Sequence, residues 1–134
     1  MTANVTYTGS LRTEATHLRS GNKIITDAPV DNQGKGEAFS PTDLMATSLA
    51  SCVLTIMGIA ARNHGINMVG TTASVNKIMA RDPRRIARLE INIAMPTEID
   101  YSKKQQKILE AAAHGCPVGL SIHPELEEVI VFKW

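Results

Sequence analysis

The sequence has few of the residues that would place it in a specialised class of protein. Only two of its 134 residues are cysteine, and 4% are aromatic. Two cysteines are too few for the disulfide framework of a small secreted domain, and free or redox-active thiols are the commoner alternative. The formal net charge is +1, and the basic residues form no stripe of the kind that nucleic-acid binding requires. We therefore expect no nucleic-acid partner.

Long apolar runs and targeting signals are also missing. No apolar run approaches the roughly 18–20 residues that a membrane-spanning helix needs. The N-terminus lacks the charged start and apolar stretch of a signal peptide. These absences predict a soluble, cytoplasmic protein without a membrane partner, and the length predicts a single domain over residues 1–134. The four histidines are scattered and no zinc-ligand spacing occurs, so we expect no metal and no cofactor.

The first part of the chain predicts three short strands and a long loop. Val5 and Tyr7 alternate with polar residues, residues 11–17 continue as extended chain, and residues 23–26 follow a Ser-Gly-Asn turn. Residues 27–39 combine Asp, Pro, Asn and Gly without an apolar period, which indicates a loop. Because long loops in compact domains are often functional, this loop is a candidate part of a site.

The segment SPTDLMATSLASCVLTIMGIAARNHG predicts the main helix. Ser40 is placed to act as N-cap, Pro41 suits the first helical position, and Gly65 suits the C-terminal cap. No charged residue occurs in residues 44–61. A helix that is apolar or small on every face is usually buried, so we expect this helix to be buried on most sides at the centre of the fold.

The second half of the chain predicts further strands and one more helix. Residues 71–76 and 86–95 alternate apolar and polar side chains, which predicts a hairpin with one buried face. Ser102 and Gln105 have the spacing of a capping box at the start of a helix, and residues 127–134 are apolar and β-prone. The order βββ-α-ββ-α-β predicts an α+β fold with a mainly antiparallel sheet.

The two cysteines allow two interpretations. Cys52 lies halfway along the apolar helix, where a free cysteine is more often a small buried hydrophobe than a reactive group. Cys116 follows a helix-stopping glycine and precedes Pro117, so we expect it in an N-cap-like bend. Backbone amides in such a bend, together with His114, would lower the pKa of the Cys116 thiol. By themselves these residues leave a packing role and a redox role open.

In combination, the helix SPTDLMATSLASC, the Gly-rich loop before it and the later GCPV resemble the OsmC/Ohr family, the osmotically inducible and organic hydroperoxide resistance proteins. The similarity covers nearly the whole chain and is closer to the YhfA-like branch. The resemblance implies an intertwined homodimer with two active sites at the subunit interface. It also implies a thiol peroxidase, in which the Cys52 thiolate attacks the peroxide and Cys116 condenses with the resulting sulfenic acid to a disulfide. A small dithiol or a thiol protein would then reduce that disulfide.

Family members set an arginine and a glutamate against the peroxidatic cysteine, and this sequence departs from that pattern. The position after Pro41 that matches the glutamate is Thr42. Arg12, in the first hairpin, is the candidate for the cation, and an exposed strand arginine is the alternative. Glu37, in the long loop, is the candidate for the missing carboxylate, and a solvated loop charge is the alternative.

Three functions are compatible with the sequence. The leading hypothesis is a two-cysteine peroxidase that reduces organic hydroperoxides in oxidative-stress defence, since a site built from Leu and Met side chains favours organic peroxides. The second is a redox sensor or disulfide-exchange protein that uses the same thiols without peroxidase activity. The third is a protein that binds a small apolar ligand on the same scaffold, with cysteines that only pack.

Overall fold

The structure is a computed structural model that describes residues 1–134. The chain divides into two compact units, Met1–Met45 and Ala46–Trp134. The order of elements confirms the predicted α+β fold and adds a short helix before the last strand. The expectation of a single domain over residues 1–134 stays a prediction.

Three antiparallel strands form the sheet of the first unit. They are β1 (Ala3–Gly9), β2 (Arg12–His17) and β3 (Lys23–Asp27), in the order β1-β2-β3. All three predicted strands are confirmed. A tight turn joins β1 to β2 through Ser10 and Leu11, whose φ angles of 51° and 60° lie in the left-handed region that non-glycine residues seldom adopt. The predicted loop after β3 contains one 3-10 turn.

The main helix, α1 (Pro41–Asn63), begins and ends as predicted. Ser40 Oγ accepts a hydrogen bond from the Asp43 N–H at 3.1 Å, and Asp43 Oδ2 accepts one from the Ser40 N–H at 2.8 Å. This reciprocal pair satisfies two backbone donors at the helix start, as a capping box does. After the helix, Gly65 has a φ of 64°, a left-handed conformation that glycine adopts without steric cost.

Burial of α1 is one-sided in the single chain. The buried residues recur with helical spacing and are Ala46, Leu49, Ala50, Val53, Met57 and Ala61. The opposite face, which includes Ser51, Thr55 and Ile59, is exposed. The expectation of a helix buried on most sides therefore holds for one face only, because a single chain supplies packing partners on one side.

The same helix also corrects the expectation that no run is long enough to span a bilayer. By length and composition alone α1 could do so, since an 18-residue window has a mean hydropathy of 1.9. Uncharged Ser, Thr and Gly residues extend the apolar run. This is weak evidence for a membrane segment, because the core helix of a soluble protein passes the same test, and one face of α1 packs in a core.

The second unit has a three-stranded sheet and two further helices. The strands are β4 (Thr72–Arg81), β5 (Arg84–Ala94) and β6 (Glu127–Lys133), in the order β4-β5-β6. The helices are α2 (Lys103–Ala113) and α3 (Pro117–Ser121). One hydrophobic core joins residues of α1, β5 and α2. Both hydrogen bonds of the predicted capping box are present at Ser102 and Gln105.

The sheet differs from the expected antiparallel one in a single pairing. The β4–β5 hairpin is antiparallel, as predicted, but β5 and β6 are parallel. The chain between these two strands passes through α2 and α3, and a helical crossover returns the next strand in the same direction. The predicted mainly antiparallel sheet is thus two sheets, one of which contains a parallel pair.

Candidate functional site

Two helices of the second unit position the cysteines. Cys52 lies in the middle of α1, and Cys116 is the N-cap of α3. Cys116 Sγ accepts a hydrogen bond from the Gly119 N–H at 3.4 Å. The predicted N-cap-like bend before Pro117 is confirmed. Because an N-cap side chain is held by the first turn that follows it, the position of the Cys116 sulfur is set by α3.

The fold brings the two cysteines together although they are far apart in the sequence. The side chain of Cys52 is a hydrogen-bonding partner of the Cys116 thiol. Both cysteines are free rather than disulfide-bonded. Cys116 is 1% exposed, whereas Cys52 is half-buried. The two thiols are therefore neighbours in the fold, which a disulfide between them requires.

The pKa of Cys116 differs in direction from the expectation. Burial raises the pKa of the Cys116 thiol, and the hydrogen bond with Cys52 raises it further. The backbone N–H groups of Gly119 and Val118 act in the opposite direction but are outweighed. The predicted net lowering is wrong, because a thiol that is almost fully desolvated resists ionisation. His114 is exposed and is not among the groups that shift this pKa.

In the first unit, two carboxylates hold the predicted cation. Arg12 and Asp27 are partners in the β2–β3 ladder. One Arg12 nitrogen, Nη2, donates to Asp27 Oδ2 at 2.9 Å and to Glu37 Oε2 at 2.7 Å. Glu37 therefore contacts Arg12, as its candidate role requires. Hydrogen bonds to these carboxylates, first of all to Asp27, raise the pKa of Arg12, so the guanidinium stays charged.

Asp27 is the member of this group that the sequence did not reveal. It lies at the end of β3 rather than in the predicted loop, and it is 0% exposed. Its Oδ2 also accepts a hydrogen bond from the Glu37 N–H at 3.1 Å, whereas its Oδ1 has no hydrogen-bond partner. Arg12 first, and then the Glu37 amide, lower the pKa of Asp27. The only available signal was an aspartate directly after an apolar strand, which is also an ordinary loop start.

The structure thus assembles two groups, the paired thiols and the Arg12–Asp27–Glu37 cluster. The paired thiols have the chemistry of a two-electron redox centre. The cluster presents a fixed guanidinium, which binds anions and oxygen atoms through several N–H donors. Thr42, at the position of the family glutamate, instead has its hydroxyl 3.0 Å from Ser40 Oγ.

Two further features bear on ligands. No group of three or more His, Cys, Asp and Glu side chains could hold a metal ion. The first unit has a cavity of about 230 Å³ whose walls combine apolar and hydroxyl side chains. Its lining comprises Tyr7, Leu11, Thr13, Thr26, Ala28, Pro29, Asn32 and Pro41. A cavity of this size holds only a small molecule.

Both the sequence and the fold of the chain are similar to those of known proteins. The family model described as OsmC-like protein matches residues 34–128. A crystal structure from Psychrobacter arcticus shares 56% sequence identity, covers 99% of this chain and 96% of its own, and superposes with a TM-score of 0.94. That protein carries the suggested name of an osmotic stress induced and detoxification response protein. No functionally curated protein matches the sequence.

More distant structures share the fold. The organic hydroperoxide resistance protein OsmC of Legionella pneumophila is 16% identical, with coverage of 100% of this chain and 98% of its own and a TM-score of 0.78. The organic hydroperoxide resistance protein OhrB of Bacillus subtilis is 18% identical, with coverage of 99% and 98% and a TM-score of 0.70. At these identities the likeness shows the fold alone.

Proposed function

The chain belongs to the OsmC-like protein family, and from that premise we propose that it is a two-cysteine thiol peroxidase that reduces organic hydroperoxides. The observation that carries the proposal is the contact between Cys52 and Cys116. Fold relatives named for organic hydroperoxide resistance support the substrate class. We propose oxidative-stress defence as its role in the cell.

In the proposed cycle the two cysteines act in sequence. The Cys52 thiolate attacks one oxygen of the peroxide, the O–O bond breaks, and the alcohol leaves after taking up a proton. The Cys52 sulfenic acid then reacts with the Cys116 thiol, which releases water and forms the disulfide. A dithiol or a thiol protein returns two electrons and restores both thiols.

Burial supports this division of roles. Cys52 is half-buried, so a peroxide can reach its sulfur. Cys116 is 1% exposed and stays protonated at neutral pH, because burial raises its pKa. A buried thiol beside the reacting sulfur is well placed to trap the sulfenic acid and poorly placed to meet a peroxide first. The resolving role therefore suits Cys116 better than Cys52.

Arg12 is the proposed cation that stabilises the Cys52 thiolate. What supports this role is its fixed, charged guanidinium, which Asp27 and Glu37 hold by hydrogen bonds. In this proposal Asp27 and Glu37 together replace the family glutamate, whose position Thr42 occupies. Two carboxylates on one arginine orient the guanidinium while leaving its other N–H donors available.

The remaining parts of the proposal concern assembly and location. Large apolar side chains are exposed on one face of the sheet of the first unit, among them Val5, Tyr7 and Ile24. An exposed apolar face of this kind is typical of an interface and supports a homodimer. We also propose that the protein is soluble and cytoplasmic, with no nucleic-acid and no membrane partner and with no cofactor.

Two specific observations favour alternatives. The contact between the thiols would equally serve a redox sensor or a disulfide-exchange protein, and Thr42 in place of the family glutamate favours such a protein. The cavity of about 230 Å³ in the first unit would serve a binding protein for a small apolar ligand. Peroxide turnover separates the peroxidase from the sensor, and loss of function on replacing Cys52 separates both from the binding protein.

The decisive experiment is intact-mass analysis of the reduced protein after one equivalent of cumene hydroperoxide, with free thiols then blocked. A loss of about 2 Da that a dithiol reverses is expected for the Cys52–Cys116 disulfide. Cys116→Ser is the matched control and must not show that loss. If both thiols stay reduced and become alkylated only on unfolding, the peroxidase proposal is wrong.

A further inference from the structure

The two sulfur atoms differ in their access to an external reagent. Cys116 is 1% exposed, and Cys52 is half-buried. Reduction of a disulfide begins with a thiolate that attacks one of the two sulfurs, and access decides which sulfur is attacked. In the single chain, a reductant in solution can therefore approach the Cys52 sulfur but not the Cys116 sulfur.

The chain's own backbone holds the less accessible sulfur. The Gly119 N–H donates to Cys116 Sγ at 3.4 Å, and the Val118 N–H is a second donor. A hydrogen bond to sulfur becomes stronger as negative charge develops on it, since charge-assisted bonds are about twice as strong as neutral ones. These donors stabilise negative charge on Cys116 and so offset part of the effect of burial, which raises the Cys116 pKa and by itself makes this sulfur a poorer leaving group. The direction of attack is therefore set by access, and the N–H donors assist the departure.

We propose that the Cys52–Cys116 disulfide is reduced in one direction, with attack of an external thiolate on Cys52 and departure of Cys116 toward the Gly119 N–H. The inference rests on the proposed function in one respect, because the disulfide is its starting point. It goes beyond that function by assigning the attacked sulfur, the leaving sulfur and a backbone donor that assists the departure.

A dithiol reductant restores both thiols in two exchange steps. One thiolate of the dithiol bonds to Cys52 Sγ, the Cys52–Cys116 bond breaks, and its electron pair stays on the Cys116 sulfur. Cys116 then takes up a proton, because burial raises its pKa. The second thiolate of the reductant attacks the reductant's own sulfur in the mixed disulfide, so Cys52 leaves as a thiolate and the dithiol is oxidised to a disulfide.

The test uses the wild-type protein and avoids peroxide. Diamide oxidises the thiols, a large excess of 2-mercaptoethanol is added, and acid stops the reaction after a short time. Free thiols are blocked with N-ethylmaleimide, and peptide mapping locates the mercaptoethanol adduct. We expect the adduct on Cys52 and the maleimide on Cys116. An adduct on Cys116, equal adducts on both residues, or failure of diamide to form the disulfide would overturn the inference.

The outcome is independent of peroxidase activity, because diamide and not a peroxide forms the disulfide. A protein that shows the Cys52 adduct but no peroxide turnover would keep this inference and lose the proposed peroxidase function. A protein that turns over peroxide but carries the adduct on Cys116 would keep the function and lose the inference.

A matched pair of variants isolates the Gly119 N–H. A Cβ built on Gly119 would lie 2.9 Å from Glu128 Oε2, so Gly119→Ala and Gly119→Pro both displace that side chain. Only proline removes the N–H, and proline is tolerated in the first turn of a helix. We expect the oxidised Gly119→Pro protein to react with 2-mercaptoethanol about tenfold more slowly than Gly119→Ala, as the loss of one charge-assisted hydrogen bond implies. Equal rates in the two variants would show that the N–H does not assist the departure.

Discussion

Arg12 and Asp27 are opposite each other in the β2–β3 ladder, and their side chains meet through a hydrogen bond of 2.9 Å. The same Asp27 oxygen accepts the backbone N–H of Glu37, whose carboxylate binds Arg12 from the loop. One buried carboxylate thus holds both the cation and the segment that supplies its second partner.

Replacing Asp27 with asparagine should lower the free energy of unfolding at neutral pH. It should also make the loss of stability between pH 7 and pH 3 smaller than in wild type. The folded-state pKa of Asp27 lies below its ordinary value, chiefly because of Arg12. The Asp27 carboxylate therefore contributes to the free energy of unfolding above the unfolded-state pKa of about 3.9, and this contribution is lost as the pH falls through the folded-state pKa. Chemical denaturation of Asp27→Asn and wild type at pH 7, 4 and 3 checks this. Asp100→Asn, at an exposed position, is the control, and an equal acid dependence in Asp27→Asn and wild type would contradict the prediction.

Removing the guanidinium of Arg12 should slow the reaction with organic hydroperoxide. Arg12→Met keeps an apolar stem of similar length but deletes the charge, so we expect a rate at least about tenfold lower, the effect of losing one charged hydrogen-bond donor. Stopped-flow kinetics with cumene hydroperoxide measures the rate. Arg19→Met removes an exposed arginine and should leave the rate unchanged. Similar rates in Arg12→Met and wild type would show that another group activates Cys52.

The two cysteines should differ in alkylation. In the reduced protein, iodoacetamide should modify Cys52 first, because Cys116 is 1% exposed. In Cys52→Ser, burial still raises the pKa of Cys116, so its alkylation rate should increase only above the ordinary thiol pKa of about 8.5. Mass spectrometry after timed labelling at pH 7 to 10 measures both effects. Faster labelling of Cys116 than of Cys52 at pH 7 would contradict the assignment of roles.

Exchanging each cysteine for serine should separate the two steps of peroxide reduction. Cys52→Ser should lose peroxide consumption altogether, because no other thiol is accessible. Cys116→Ser should consume one equivalent, accumulate a sulfenic acid that dimedone traps, and proceed to sulfinic acid with excess peroxide, since no resolving thiol is left. Serine is also a good N-cap, so this variant keeps α3 capped. Equal overoxidation of wild type and Cys116→Ser would show that Cys116 does not resolve the sulfenic acid.

Local rules were sufficient wherever the signal lay within a few residues. The caps at Ser40 and Ser102, the strand alternation in residues 86–95 and the bend at Cys116 all depend on neighbours along the chain. Each of these predictions is confirmed, because helix caps and strand alternation are decided by side chains three or four positions apart at most.

Only the tertiary structure decided which distant groups meet. The contact of Cys52 with Cys116 depends on how α1 packs against the chain that follows α2, and the pairing of Arg12 with Asp27 depends on the register of β2 and β3. The direction of the Cys116 pKa followed from burial, which no local pattern reports. By itself the sequence therefore determined the elements, their caps and the candidate thiols, whereas packing and register determined the partners of each side chain and so the chemistry available to it.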